Sequence, residues 1–200
     1  MSRHGCSSDN MKRCMDVGLA VGMLLAVMPL LLLIACAIVI DDRGPIIYRG
    51  QRVGRGGVPF SIMKFRTMRT RQTMASQITL RHDPRVTRVG RLLRATKLDE
   101  LPQLLNVLCG EMSLIGPRPE VPCFVNAGDP VWQAVHRVRP GITDLATLVY
   151  RDEERILAGY ADPERAYREA VLPAKLALMV RYSLIPRGFD PERVREAILS

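Results

Sequence analysis

Two adjacent carboxylates, Asp99 and Glu100, stand just downstream of the most basic part of this 200-residue chain. Between Arg43 and Arg94 there are thirteen Lys or Arg residues against one acid, Asp83, so the net charge of +9 is concentrated there. Arg118 follows in the run Gly116-Pro117-Arg118-Pro119-Glu120, stiffened by its prolines. An ionised carboxylate can attack phosphorus. Neighbouring cations and helix N-terminal amides would lower the pKa of Asp99 and hold a phosphoryl group against it. Two acids side by side also offer hard oxygen ligands for Mg²⁺, which binds one or two carboxylates together with substrate phosphates. Carboxylates, a metal and cationic clamps are the parts that phosphoryl transfer uses. In isolation the pair reads equally well as ordinary helix-start acids facing the positive end of the dipole.

Several elements must position these groups. Thr96 to Gly110 reads as a helix, with Thr96 as N-cap, Asp99 in the first turn and Gly110 as terminator. Just before it, Val89, Leu92 and Leu93 alternate with Arg88, Arg91 and Arg94, the pattern of an amphipathic basic helix suited to a membrane surface or to packing on a core. Ile46 to Tyr48 and Ser61 to Phe65 read as strands, and the glycines of Gly54 to Gly57 as the loop of a hairpin between them. That glycine cluster matches neither phosphate-loop pattern. Arg69 to Arg81 is polar and is expected to be a mobile loop. Near the end, Asp162-Pro163-Glu164 begins a helix whose Leu172, Leu176, Met179 and Val180 form an apolar stripe, destined for the core or the bilayer interface.

At the other end, Val17 to Ile40 carries no charged side chain and is long enough to cover the roughly 30 Å hydrocarbon core. It is too long for the h-region of a signal peptide. Pro29 near its middle removes a backbone donor and predicts a kink. Both flanks are basic, with Arg3, Lys12 and Arg13 before and Arg43, Arg49, Arg52 and Arg55 after, so both ends favour the cytoplasm. A spanning helix and a re-entrant hairpin of two half-helices both remain open on these grounds. Five cysteines without paired spacing disfavour a zinc site or disulfide framework and suit a reducing cytosolic face.

These motifs together resemble a family, the bacterial sugar transferases of the monotopic phosphoglycosyl transferase type. The resemblance runs over roughly residues 11 to 150. It is carried by Lys12-Arg13 with Asp16, the proline-broken apolar segment, Gly44-Pro45-Ile46-Ile47-Tyr48, Gln51-Arg52-Val53-Gly54 and Lys64-Phe65-Arg66-Thr67-Met68. It continues through Asp83 to Gly90, Leu98-Asp99-Glu100-Leu101-Pro102-Gln103-Leu104, Met112 to Glu120 and Arg139-Pro140-Gly141-Ile142-Thr143. Asp144 and Thr147 depart from it, standing where glycine and glutamine are usual, Met28 replaces a serine before Pro29, and the stretch from Ser183 to Asp190 differs.

The resemblance implies an α+β fold. Residues 1–41 would form a re-entrant membrane helix hairpin broken at Pro29, and 42–200 a mainly helical cytosolic catalytic domain with a short β-hairpin and interfacial amphipathic helices. It implies transfer of a sugar-1-phosphate from a UDP-sugar to polyprenyl (undecaprenyl) phosphate with release of UMP, the initiating membrane step of bacterial glycoconjugate assembly. Asp99 maps to the covalent nucleophile and Glu100 to the Mg²⁺ ligand beside it; Lys64, Arg94, Arg118 and, more weakly, Arg139 map to cations that handle phosphate. Implied partners are the UDP-sugar, the polyprenyl phosphate and inner-membrane phospholipid, with a second copy of the chain as a further candidate. A nucleic-acid role is disfavoured, since aromatic residues make up only 5% and none interleave the arginines of residues 81 to 94. An inactive membrane-anchored scaffold is the remaining alternative, although Asp99, Glu100 and Arg118 are all present.

Overall fold

A computed structural model describes residues 4–69 and 83–184. Most of the loop expected over Arg69 to Arg81, and most of the divergent stretch from Ser183, lie outside the described residues.

The chain begins with a single long helix, α1 (His4–Asp41), with Pro29 inside it. The sequence predicts a break at that proline; the structure keeps one helical element through it. The stretch Asp9–Asp41 is long and apolar enough to cross a membrane, as a membrane anchor requires. One stripe of α1 faces the rest of the protein: Arg13, Asp16, Ala20, Leu24, Val27, Leu31, Ile34 and Ile38, three or four residues apart, are buried or half-buried. Leu19, Leu25, Leu32, Leu33 and Ile40 point away and are exposed, the disposition a lipid-facing surface calls for.

Next, β1 (Ile47–Val53) and β2 (Pro59–Phe65) form an antiparallel hairpin from Ile47↔Phe65 to Val53↔Pro59. Its turn uses Gly56 and Gly57 at φ of 70° and 76°, where side chains are disfavoured, which fixes the glycine cluster as turn chemistry. A short helix, α2 (Arg88–Thr96), is capped by Thr87, whose hydroxyl accepts from Gly90 N–H. Its apolar pair is split: Leu93 is buried while Leu92 is largely exposed.

The single helix predicted from Thr96 to Gly110 is instead two pieces. Lys97 adopts a left-handed conformation (φ 59°) that ends α2, and Thr96 bonds back to the carbonyls of Leu92 and Leu93 rather than capping the next turn. A 3₁₀ turn, Leu98–Glu100, comes next, and after Pro102 the helix α3 (Gln103–Cys109) ends at Gly110, as predicted, with φ 86°. Strand β3 (Ser113–Ile115), helix α4 (Pro130–Val135) and strand β4 (Gly141–Thr143) complete this part of the chain. β3 and β4 pair in parallel, and Gly116 and Gly141 approach so closely that a Cβ on Gly141 would lie 2.1 Å from the Gly116 nitrogen.

Short helices α5 (Leu145–Val149), α6 (Glu153–Leu157) and α7 (Pro163–Ala166) lead through a π turn at Tyr167–Val171 into α8 (Leu172–Leu184). The apolar stripe of α8 goes to the core: Met179 packs with Val135 and Ala146, and Leu172 joins Phe124, Trp132 and Leu157. Two further clusters join α1 to the hairpin and its neighbours. Ala20 packs with Phe60, Ile62, Leu104, Val107 and Met112, and Ile34 and Ile38 pack with Phe65 and Leu93.

Candidate active site

The 3₁₀ turn after Lys97 sends its two acids in different directions. Glu100 meets cations from two other elements. Its Oε1 accepts from Lys64 Nζ on β2 at 2.9 Å and from Arg118 Nη2, and its Oε2 accepts from Arg118 Nη1 at 3.1 Å. This is a fork of the bidentate kind that arginine forms with carboxylates. The side chains of Glu100, Lys64 and Arg118 keep only 12%, 19% and 25% of their exposure, so the cluster sits largely out of water.

The loop carrying Arg118 is held from behind. Gly116 N–H donates to Thr143 O and Gly141 N–H to Pro117 O, while Arg118 N–H donates to Asp144 Oδ2 at 3.1 Å. Asp144 also caps α5, its Oδ1 accepting from Thr147 N–H at 2.6 Å. The departure from glycine at 144 therefore supplies a clasp between α5 and the arginine loop.

Burial opposes ionisation of Glu100, but Arg118 and Lys64 outweigh it and hold the carboxyl far below its ordinary value. Burial likewise opposes the charge on Arg118, and Glu100 overcomes it, raising the guanidinium. Lys64 is pulled down, by burial first and by Arg118 second. Asp99 behaves in the opposite sense to the sequence expectation. Burial pushes its pKa up, the adjacent Glu100 charge adds to this, and Lys64, Arg94 and Lys97 only partly compensate. Its Oδ1 is buried with no hydrogen-bond partner among the described residues.

Lys64, Arg94, Asp99, Glu100 and Arg118 all line one cavity of about 1260 Å³. Met23 and Val27 of α1 line it too, so the apolar helix reaches the same space as the acids. Arg94 is paired with Glu154 of α6, a further lining residue, at 2.6 Å. Arg139 is not brought in. Its Nε donates to Gly110 O at 3.0 Å, and it is absent from the cavity lining among the described residues.

Asp99 and Glu100, the expected Mg²⁺ ligands, both line the cavity. No group of three or more metal-ligating side chains occurs among the described residues. Both oxygens of Glu100 accept hydrogen bonds from Lys64 or Arg118, while Asp99 Oδ1 has no hydrogen-bond partner among the described residues. One carboxylate together with substrate phosphates is a donor set that suits Mg²⁺.

Four lining residues were not singled out for a site from sequence. Arg52, Glu120, Tyr167 and Lys175 gather at another part of the cavity wall. Arg52 and Glu120 carried a signal, since both lie inside motifs of the resemblance. Lys175, a lone cation in the apolar stripe of α8, carried a weaker one.

The same chain matches known proteins. The profile described as "Bacterial sugar transferase" matches residues 7–171. The chain belongs to the bacterial sugar transferase family. Among curated relatives, a "UDP-glucose:undecaprenyl-phosphate glucose-1-phosphate transferase" of Caulobacter vibrioides is 48% identical over 70% of this chain and 54% of the relative. An Escherichia coli K12 protein of the same name is 42% identical over 69% of this chain and 31% of its own length. A "Putative undecaprenyl-phosphate N-acetylgalactosaminyl 1-phosphate transferase" of Bacillus subtilis is 45% identical over 56% of this chain and 64% of its own. The match thus takes in about half or less of the Caulobacter and Escherichia transferases.

In this member of the family the Glu100 cluster has a measurable signature. Replacing Glu100 with Gln leaves Lys64 and Arg118 facing each other without their anion, a loss of about 3 kcal/mol in unfolding free energy at pH 7. Because the folded-state pKa is depressed, the stabilisation is complete above the ordinary value of 4.5 and is lost as pH falls below it. Urea titrations in detergent at several pH values should therefore show wild type and Glu100→Gln converging on acidification. A gap that stays constant from pH 7 to pH 3 would contradict the assigned ion cluster.

Proposed function

We propose that the chain transfers a sugar-1-phosphate from a UDP-sugar to undecaprenyl phosphate, with Asp99 as nucleophile. The observation that carries this reading is the pairing of a buried, unpartnered Asp99 oxygen with the Lys64–Glu100–Arg118 cluster on one cavity wall that α1 also lines. The names of the relatives support the substrates.

In the first step a carboxylate oxygen of Asp99 forms a bond to the β-phosphorus, and the bond from that phosphorus to the bridging oxygen breaks. The electron pair leaves with UMP. In the second, an oxygen of the lipid phosphate attacks the same phosphorus and the Asp99 carboxylate is regenerated. Neither step requires a proton to be found or disposed of. Lys64 and Arg118, fixed by Glu100, stand ready to neutralise charge on the phosphoryl oxygens, and because they are held in place beforehand little reorganisation is needed. Scarce hydration of Asp99 makes the ionised form more basic and more reactive. Glu100, with Asp99 beside it, would hold Mg²⁺, which would supply further charge neutralisation when bound.

Activity should therefore need the ionised form of a carboxyl whose pKa is raised. The acid limb of the rate profile should fall as pH drops through a value above 3.8, the ordinary aspartate value. Purified protein with Mg²⁺, undecaprenyl phosphate and a panel of UDP-sugars should release UMP from at least one donor, and chelation should stop it. Asp99→Asn should reduce release by about 10³-fold or more, since a neutral amide is a poor nucleophile. Near-normal turnover by that variant would refute the assignment.

The reading extends to topology: α1 enters the cytoplasmic leaflet and returns, keeping the rest of the protein on the cytoplasmic face. Support comes from its two ends, both fastened to the same body. Near the start, Asp16 accepts from Ser113 Oγ at 2.8 Å and Arg13 donates to Val107 and Leu108 carbonyls. Near the end, Asp41 Oδ2 accepts from Val89 N–H at 2.8 Å and Arg66 pairs with Asp42 at 3.3 Å. A helix crossing the bilayer would carry these ends to opposite sides, on the order of 40 Å apart. Pro29 lies on the side away from the contact stripe, where loss of its hydrogen bond favours bending toward the protein. In a variant whose native cysteines are replaced by serine, Asn10→Cys should resist an impermeant thiol reagent in intact cells and react after lysis. Reaction in intact cells would restore a spanning helix.

A further inference from the structure

Arg52 is a large cation in the cavity wall that belongs neither to the cluster around Glu100 nor to any ion pair among the described residues. It lies on β1, where the register pairs Tyr48 with Lys64, Gly50 with Ile62 and Arg52 with Phe60. Cross-strand partners and alternate residues share a face, so Arg52 and Lys64 project from the same side of the hairpin, about four residues or ~13 Å apart along it. Unlike Lys64, its guanidinium has no hydrogen-bond or salt-bridge partner among the described residues, although burial depresses its pKa, Glu120 opposing that and Arg118 adding to it. Gly50 leaves the space between them to Tyr48, whose hydroxyl lies 2.8 Å from where a Gly50 Cβ would be.

Glu120 is placed beside Arg52 by the backbone, since Val53 N–H donates to Glu120 O at 3.0 Å. One carboxylate oxygen is held: Glu120 Oε1 accepts from Tyr167 Oη at 2.8 Å and from Lys175 Nζ at 3.1 Å. Lys175 also donates to Tyr167 Oη at 3.0 Å and to Glu153 at 2.9 Å. Tyr167 sits in the π turn, a local irregularity of the kind that often marks functional positions, and its ring packs 5.0 Å from that of Phe124. The charges balance, with Arg52 and Lys175 against Glu120 and Glu153. The cluster therefore offers a fixed set of donors and acceptors with little net charge. A second phosphate would meet the carboxylate of Glu120 as well as the guanidinium of Arg52. Vicinal hydroxyls, which both donate and accept, match this pairing better.

We propose that Arg52 and Glu120 form the subsite for the hexose of the donor, reading its hydroxyl groups, with Tyr167 and Lys175 holding Glu120 in position. This rests on the transferase reading above. Glu120 is two residues from Arg118 on the same proline-stiffened loop, so a phosphoryl group held at Arg118 brings its attached sugar toward Glu120. On this account Arg52 and Glu120 select the sugar and Tyr167 and Lys175 are positioning residues.

The test is calorimetric titration in nanodiscs, with every protein carrying Asp99→Asn so that no bond is broken. The probes are UDP and the UDP-hexose, UDP-glucose or UDP-N-acetylgalactosamine, that the Asp99→Asn protein binds more tightly. Arg52→Gln should weaken the UDP-hexose at least tenfold while UDP changes less than twofold, and Arg52→Lys should recover part of the loss. Arg52→Gln leaves the Glu120–Tyr167–Lys175 contacts intact, whereas Glu120→Gln alone could fail by unfolding. Parallel weakening of UDP and UDP-hexose would overturn the proposal and assign the cation to the nucleotide diphosphate, and unchanged affinity for both would overturn it outright. Whether the chain with Asp99 intact releases UMP is measured separately. Failure there counts against the transferase reading, while the titrations still read the subsite.

Discussion

Glu100 is buried between a lysine and an arginine that belong to different elements, and that arrangement organises the site. A carboxylate removed from water is costly unless its charge and lone pairs are answered. Lys64 from the hairpin and Arg118 from the proline-rich loop answer both. Three segments distant in sequence are thereby held in register around one anion. The backbone of the Arg118 loop is held independently by β4 and by Asp144, so the guanidinium is aimed before any ligand arrives. Asp99, next in the chain, is left with no such partners, and its raised pKa and free oxygen are consequences of where its neighbour's cations point.

The long helix α1 is part of the same construction. Its lower half closes the core formed by Phe60, Ile62, Leu104 and Met112, and its upper half covers Phe65 and Leu93. The residues it packs against flank Lys64 and Asp99 on both sides. Met23 and Val27 carry the apolar surface of the helix into the cavity wall itself. Under the proposed function, an apolar helix that lines the cavity suits an acceptor that is a lipid with a phosphate head, because such a molecule would not have to leave the bilayer to reach the acids.

Much of this was legible in the residue order. The glycines after Val53 mark the hairpin turn, Gly110 marks a helix end, and Lys64, Arg94, Asp99, Glu100 and Arg118, singled out together, do share one cavity wall. Other features were hidden for identifiable reasons. The left-handed Lys97 splits one apparent helix in two, and lysine carries no propensity for that conformation. The expectation that cations would lower the pKa of Asp99 erred because Arg118 and Lys64 are committed to Glu100, while burial of Asp99 is only partly offset. Arg139 belongs to a motif of the resemblance but is used to bind the Gly110 carbonyl. The partnership of Lys175 with Glu120 spans 55 positions, beyond the reach of any local pattern.

In the proposed order of attack Asp99, rather than the lipid phosphate, reaches the donor first. This order is tested most directly by mixing enzyme with the UDP-sugar and Mg²⁺ in the absence of acceptor lipid, quenching in acid, and measuring UMP together with peptide masses. The account predicts about one UMP per active site, and a sugar-phosphate mass increment on the peptide containing Asp99 that disappears when undecaprenyl phosphate is added. An enzyme that turns over fully with lipid yet shows neither the burst nor the adduct would contradict it, and would leave Asp99 as a base or a metal ligand.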